Sequence, residues 1–388
     1  MHKLVTIQPP QYPIFPTNID KHYKELYTDR LVDRYYFEGT SAFEYDLGEY
    51  LGVHHCFVTN SGHSSVLITL MAAGVGSGDE VITTPISWGQ TLSPILQLGA
   101  TPVFADIDPD TFQISFENIC KVTTKKTKAV LVVNLYGASP TLNTIKEYCK
   151  SQDIILIEDS AQSMGLLYGN EYTGTIGDMG ALSFNSGKLL AIGGAGAVVT
   201  RDENLFDKMI YHGSKAAHKR KALADTSMVC DGLDYTFLCH PLLQEIGRDQ
   251  LKVLSEQNAN RIENMIYFRN LLKDIKGMKL QEVNELSSMP AYMFSFVNEM
   301  PIDVDKLCKL FKQVGIPIFR YNPKPLSNLP TGRFANYVPA DCPNATYLSE
   351  NEVCITSYKW YTKDKSYLDQ YAEAFAYCYD ALGKRYNV

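Results

Sequence analysis

"DIILIEDSAQSMG", residues 153–165, carries the apolar run Ile154 to Ile157 straight into two carboxylates, Glu158 and Asp159. The run is short, rich in β-branched residues and closed by small polar ones, which predicts a central strand with acid at its buried end. A carboxylate in that position needs a cation or a set of donors. A cap on the following segment accounts for one of the two acids but sits less comfortably with both.

The same rhythm extends outward in both directions. Between about residues 55 and 200, short apolar runs such as "CFVTN", "DEVITTP", "TPVFADI" and "KAVLVVNLYG" alternate with amphipathic stretches such as "SSVLITLMAAG", "TLSPILQLGA" and "TLNTIKEYCKSQ". This βαβ alternation predicts an α/β fold with a mixed, mostly parallel sheet and helices on both faces. In such sheets the loops after the strand ends carry the chemistry. After residue 200 the pattern becomes helical, and "HPLLQEIGRDQLKVLSEQNANRIENMIYFRNLLKDI" is long enough to bridge two domains. The strand and helix mixture beyond it predicts a smaller C-terminal α+β domain, with the division at residues 1–255 and 256–388.

The 388 residues are 45% hydrophobic and 20% charged, as expected of a soluble chain with a large core. Lys+Arg 36 against Asp+Glu 43 gives a net charge of −7, which speaks against a general affinity for nucleic acid or anionic membrane. The local basic stretch Lys215, His218, Lys219, Arg220 and Lys221 reads as a solvated loop, or as a rim that attracts an anionic substrate. Nine scattered cysteines without a C-x-x-C pair imply reduced thiols in a cytoplasm, with no disulfide framework and no zinc or other metal site. The start, "MHKLVTIQPPQYPIF", lacks a signal-peptide apolar run, and no stretch approaches a membrane span.

Three more strand ends invite inspection. In "TNSGHSSVLITLMAAG", residues 59–74, Asn60, Ser61, Gly62, His63 and Ser64 lie where a strand passes into a helix, and free N–H groups there favour phosphate. An N-cap explains the serines equally well, and the G-x-G-x-x-G spacing of a dinucleotide site is absent. In "TTPISWGQT", Trp88 is either a core filler or a plate for a planar ligand. In "SFNSGKLLAIGGAGAVVT", residues 183–200, Lys188 stands among Phe184, Leu189, Leu190 and Ile192, where a permanent ammonium is costly unless it snorkels to water. A phosphate cradle, an aromatic plate, a carboxylate and a lysine in a semi-buried turn match one cofactor, pyridoxal 5′-phosphate (PLP). The small residues after Lys188 are expected to leave room for it.

"EDSAQSMG" followed by "SFNSGK", with "SGHSS" and "DEVITTPISW" upstream, resembles the DegT/StrS-type sugar and aminocyclitol aminotransferases of the fold-type-I PLP enzymes, over roughly residues 35–325. The resemblance implies that Lys188 is the internal-aldimine lysine and the proton shuttle. It implies that Asp159 holds the pyridinium nitrogen, Gln162 the phenolic oxygen, and Ala161 and Trp88 the two ring faces. Gly62, His63 and Ser183 would take the phosphate, with Asn185 nearby. The implied reaction moves an amino group from L-glutamate or L-glutamine to a keto sugar or keto cyclitol, through a pyridoxamine phosphate stage, in a homodimer with shared active sites. Tyr36 to Gly39 and "FRYNPKPL", with Arg320 and Tyr321, would shape the acceptor pocket.

The chain departs from that family's pattern at His63, where threonine is usual, and at Gly194, where an acid is common. A third departure is Thr236, Phe237 and Leu238, which stand where the family has asparagine, tyrosine and arginine. The missing arginine removes a cross-subunit phosphate contact that His63 or the Lys215–Lys221 loop would have to replace. Two alternatives share the fold, a PLP-dependent lyase or dehydratase and a catalytically silent regulator. The family's sugar dehydratases replace the lysine by histidine, so Lys188 argues against the first. The Lys188, Asp159 and Gln162 set argues against the second.

Overall fold

The computed structural model describes residues 4–12, 41–213, 235–329 and 335–386. The main sheet draws on β1 (His55–Thr59), β2 (Glu80–Thr83), β3 (Thr101–Phe104), β4 (Thr127–Val133) and β5 (Ile155–Asp159). A small hairpin, β6 (Leu167–Tyr168) and β7 (Glu171–Tyr172), precedes β8 (Met179–Ser183) and β9 (Gly196–Thr200). The order across the sheet is β1-β9-β8-β5-β4-β2-β3. β9 runs antiparallel to both its neighbours, and every other pairing is parallel. This is the mixed, mostly parallel α/β sheet that the alternating runs predicted. The apolar centres of β4 and β5 are buried, as strands covered on both faces must be.

Beyond the main sheet, helix Pro241–Leu272 spans 32 residues. Its Ile246, Leu251 and Leu254 join the core beneath the main sheet, whereas Met265, Phe268 and Leu272 join a second core. That second core is built on β10 (Met278–Leu280), β11 (Met293–Asn298) and β12 (Glu352–Thr356), an antiparallel three-stranded sheet. Helices Val304–Val314 and Ser366–Tyr386 complete it. Val5, near the start of the chain, is buried in the same core. No helix among the described residues is long and apolar enough to cross a membrane.

Candidate active site

The C-terminal ends of β5, β8 and β1 meet around a cavity of about 370 Å³. Lys188, Gly62, His63, Trp88, Asp159, Ala161, Gln162, Ser183 and Asn185 all line it, with Ser61, whereas Asn60, Ser64 and Glu158 do not.

The lysine owes its place to a closed loop between β8 and β9. Ser183 pairs with Gly196 across the two strands, Phe184 N–H donates to Ala195 O (2.8 Å), and Ile192 N–H returns to Phe184 O (3.0 Å). Within the loop, Lys188 N–H closes a turn on Asn185 O (2.9 Å), while Leu189 to Ile192 are buried. Burial of its charged end pulls the Lys188 ammonium down to about 8, against the attraction of Asp159, which pulls upward. The Lys188 Nζ lies 4.7 Å from the centre of the Tyr292 ring, a half-buried cation over an aromatic face. The small residues behave differently from expectation. Gly193 and Gly194 do not line the cavity, whereas Gly196 lets β9 pass the helix start, where a Cβ would lie 2.5 Å from Ser65 Oγ.

The two acids of β5 point to opposite faces, as successive strand residues must. Glu158 accepts from Gly174 N–H (2.8 Å), Ile176 N–H (2.8 Å), Gly177 N–H (2.7 Å) and Asn134 Nδ2 (3.0 Å). Every partner donates, so the geometry suits an ionised carboxylate even though burial pushes its pKa up. Asp159 faces the cavity with two bonds, from Thr91 Oγ1 (2.8 Å) and Ala161 N–H (3.2 Å). Burial raises its pKa too, opposed by those bonds and by Lys188, and its oxygens keep acceptor capacity toward the cavity.

Gln162 is oriented from behind. Its Oε1 accepts from Tyr136 N–H (2.8 Å), which turns Nε2 toward Tyr321 Oη (2.8 Å) and leaves that nitrogen a second hydrogen. Tyr136 sits at φ 63°, a left-handed conformation that an L-residue adopts only when its surroundings impose it. Its hydroxyl donates to buried Glu352 (2.9 Å), which also accepts from Ser295 and whose pKa burial lifts to about 7.

The opposite end of the cavity is a helix start. Ser61 caps helix Gly62–Ala72 by accepting from Ser64 N–H (3.1 Å), leaving the first-turn N–H groups of Gly62 and His63 as donors. Gly62 has to be glycine, because a Cβ there would lie 2.7 Å from the Ser183 Cβ. The His63 ring approaches Ser93 Oγ at 3.4 Å. Trp88 is 51% exposed at the cavity wall, its ring set T-shaped against Tyr321, so it is no core filler.

Arg320 departs from the sequence reading: it bonds Ser349 O (2.8 Å) and pairs with Asp305 (3.5 Å), outside the cavity lining. Its neighbour Tyr321 takes the inward direction instead, because successive residues of an extended segment alternate sides. The segment Thr236–Leu238 runs beside the helix start: Phe237 O accepts from Asn60 N–H (2.8 Å) and Leu238 bridges Thr59. Tyr36 to Gly39 and the Lys215–Lys221 loop lie outside the described residues. Thr91, Tyr136 and Tyr292 were missed. Thr91 could have been found three positions after Trp88; Tyr292, just before β11, is distant in sequence and carries no local motif.

Sheet order and cavity together define a fold-type-I transferase architecture. The chain belongs to the DegT/DnrJ/EryC1/StrS aminotransferase family, whose profile matches residues 24–367. It is 35% identical over 246 residues to an L-glutamine:2-deoxy-scyllo-inosose aminotransferase of Streptomyces lividus, covering 62% of this chain and 58% of that relative. It is 31% identical over 306 residues to a pleiotropic regulatory protein of Geobacillus stearothermophilus, covering 78% and 79%. The match thus spans about six-tenths of the length of the first of these relatives. Among solved structures, 3-amino-5-hydroxybenzoic acid synthase superposes with a TM-score of 0.81 at 22% identity, over 97% of this chain and 100% of that one. A GDP-4-keto-6-deoxymannose-3-dehydratase with a trapped PLP-glutamate geminal diamine gives 0.80 at 25% identity, over 94% and 100%.

Proposed function

We propose that this chain is a PLP-dependent aminotransferase that moves an amino group from L-glutamate or L-glutamine to a keto sugar, nucleotide-linked or free, or to a keto cyclitol. The observation that carries the reading is Lys188 held in one cavity with Asp159 and a helix-start anion cradle. The residues fit the cofactor: Gly62 leaves open the space beside Ser183 that a Cβ would fill, and Asp159 retains acceptor capacity.

When bound, PLP supplies an aldehyde for amine exchange and a ring that accepts electrons. Lys188, its pKa lowered by burial to about 8, would give up its proton more easily than a free lysine, would hold the cofactor and, once released, would carry a proton between cofactor carbon and substrate carbon. Asp159 would keep a proton on the ring nitrogen. Gln162 Nε2 would donate to the phenolic oxygen, since its Oε1 is already committed to Tyr136. Ala161 and Trp88 would take the ring faces, and the Gly62 and His63 N–H groups and Ser183 Oγ would take the phosphate, with Asn185 nearby.

The working form is a homodimer with shared sites: exposed Trp88 at the cavity wall, and Tyr235 stacked on Phe237 beside Asn60, offer an aromatic surface for a second copy. The chain divides near residue 255, within the helix that serves both cores, and acts in the cytoplasm. Mixing holoprotein with L-glutamate or L-glutamine should shift the cofactor absorbance to its amine form, and the right keto sugar or cyclitol should restore it. No response to either donor, with turnover of a sugar alone, overturns the reading in favour of a lyase. The likeness to a regulatory protein over 79% of its length favours a second reading, a regulator, which predicts bound cofactor and no response to any donor or acceptor.

A further inference from the structure

The chain start makes a connection that neither the motifs nor the cavity reveal. Residues 4–12 run along the second core. Val5 N–H donates to Val314 O (2.9 Å), and the N–H groups of Thr6 and Ile7 share Gln370 Oε1 (2.9 and 3.1 Å). Tyr361 Oη then donates to Gln11 O (2.6 Å). The strap ends on Tyr12, whose hydroxyl donates to Leu189 O (2.6 Å) and approaches Lys188 O (3.0 Å).

Tyr12 is 8% exposed and firmly placed. Its ring packs on Tyr361 (5.3 Å) and Tyr358 (5.8 Å), with the Arg261 guanidinium 5.1 Å from its centre. Arg261 is itself buried in the helix that serves both cores and bonds Tyr358 O (2.8 Å) and Asn258 Oδ1 (2.8 Å). Among the described residues, neither the Lys188 nor the Leu189 carbonyl receives another hydrogen bond. A buried carbonyl without a donor is unfavourable, so the Tyr12 hydroxyl on Leu189 O stabilises the loop in this position.

We propose that Tyr12 is a positioning residue for Lys188: the N-terminal strap fixes the backbone of the lysine loop and thereby the height at which Nζ enters the cavity. The inference rests on the reading of Lys188 as the reacting lysine. A reactive nitrogen must stay within a fraction of an ångström of its working position, and Tyr12 ties the lysine backbone to the strap along the second core.

The test uses the full chain and Tyr12→Phe, which keeps the ring and removes the hydroxyl. In holoenzyme we expect kcat to fall about tenfold with KM for the amino donor within about twofold, the split that loss of positioning produces. The pH midpoint of the cofactor absorbance should move by about half a unit. Tyr361→Phe, which loosens the strap at Gln11 only, should leave kcat within about twofold. In cofactor-free protein, amide exchange of residues 188–192 should accelerate about tenfold in Tyr12→Phe, with β4 and β5 unchanged. This arm requires no PLP, so failure of wild-type protein to bind PLP would overturn the functional reading without touching it. Unchanged kcat, midpoint and loop exchange in Tyr12→Phe overturn the proposal. Should that variant not fold, deletion of residues 1–12 replaces it, with the same expected and contradicting results.

Discussion

The two faces of β5 end in adjacent acids with opposite fates. On the closed face, Glu158 is saturated by four donors and pins the 174–177 loop; on the cavity face, Asp159 has two bonds and acceptor capacity to spare. Both are buried and both have raised pKa values, so burial alone does not separate a saturated carboxylate from one that keeps acceptor capacity. Unfilled hydrogen-bonding capacity facing a cavity does.

Substitution of the pair should break this contrast cleanly. Glu158→Ala leaves three backbone N–H groups and an amide without their acceptor, and should cost about 4 kcal/mol in urea denaturation. Asp159→Asn should leave the denaturation midpoint nearly unchanged but lower kcat on the order of 10²–10³-fold, the scale of losing one preorganised electrostatic partner. Equal stability losses with equal activities would erase the distinction between the two faces.

Lys188 extends the comparison to cations. Its folded pKa of about 8 lies below the ordinary lysine value of 10.5, so the folded state is penalised below pH 8 and the penalty lifts as pH rises from 8 to 10.5. Cofactor-free Lys188→Met should therefore be more stable than wild type at pH 7 by up to about 3 kcal/mol, with the gain vanishing near pH 10.5. Glu352 has the opposite sign. Its folded pKa of about 7 exceeds 4.5, so stability present at low pH is lost as pH rises from about 4.5 through 7. Glu352→Gln should flatten that decline by roughly 2 kcal/mol between pH 5 and 8, less than the full shift because the decline begins below pH 5.

Much of this was legible in the sequence because the signals are local. β5 and its acids, the serine-rich helix start and the lysine turn each lie within a dozen residues, where strand period and helix capping act directly. Tyr136, Tyr292 and Tyr12 were not legible, because each reaches the site across a separation that no local pattern encodes. Arg320 was misread for a related reason. An extended segment offers two directions, and only the neighbouring Asp305 and Ser349 decided that Tyr321, not Arg320, faces Gln162.

The central claim is that Lys188 carries the cofactor in this cavity, and reduction of PLP-loaded protein with borohydride tests it most directly. Peptide mapping should then find the phosphopyridoxyl group on the peptide containing Lys188, and no such adduct in Lys188→Met. A reduced adduct on another lysine, or a protein that takes up no PLP, would contradict the account.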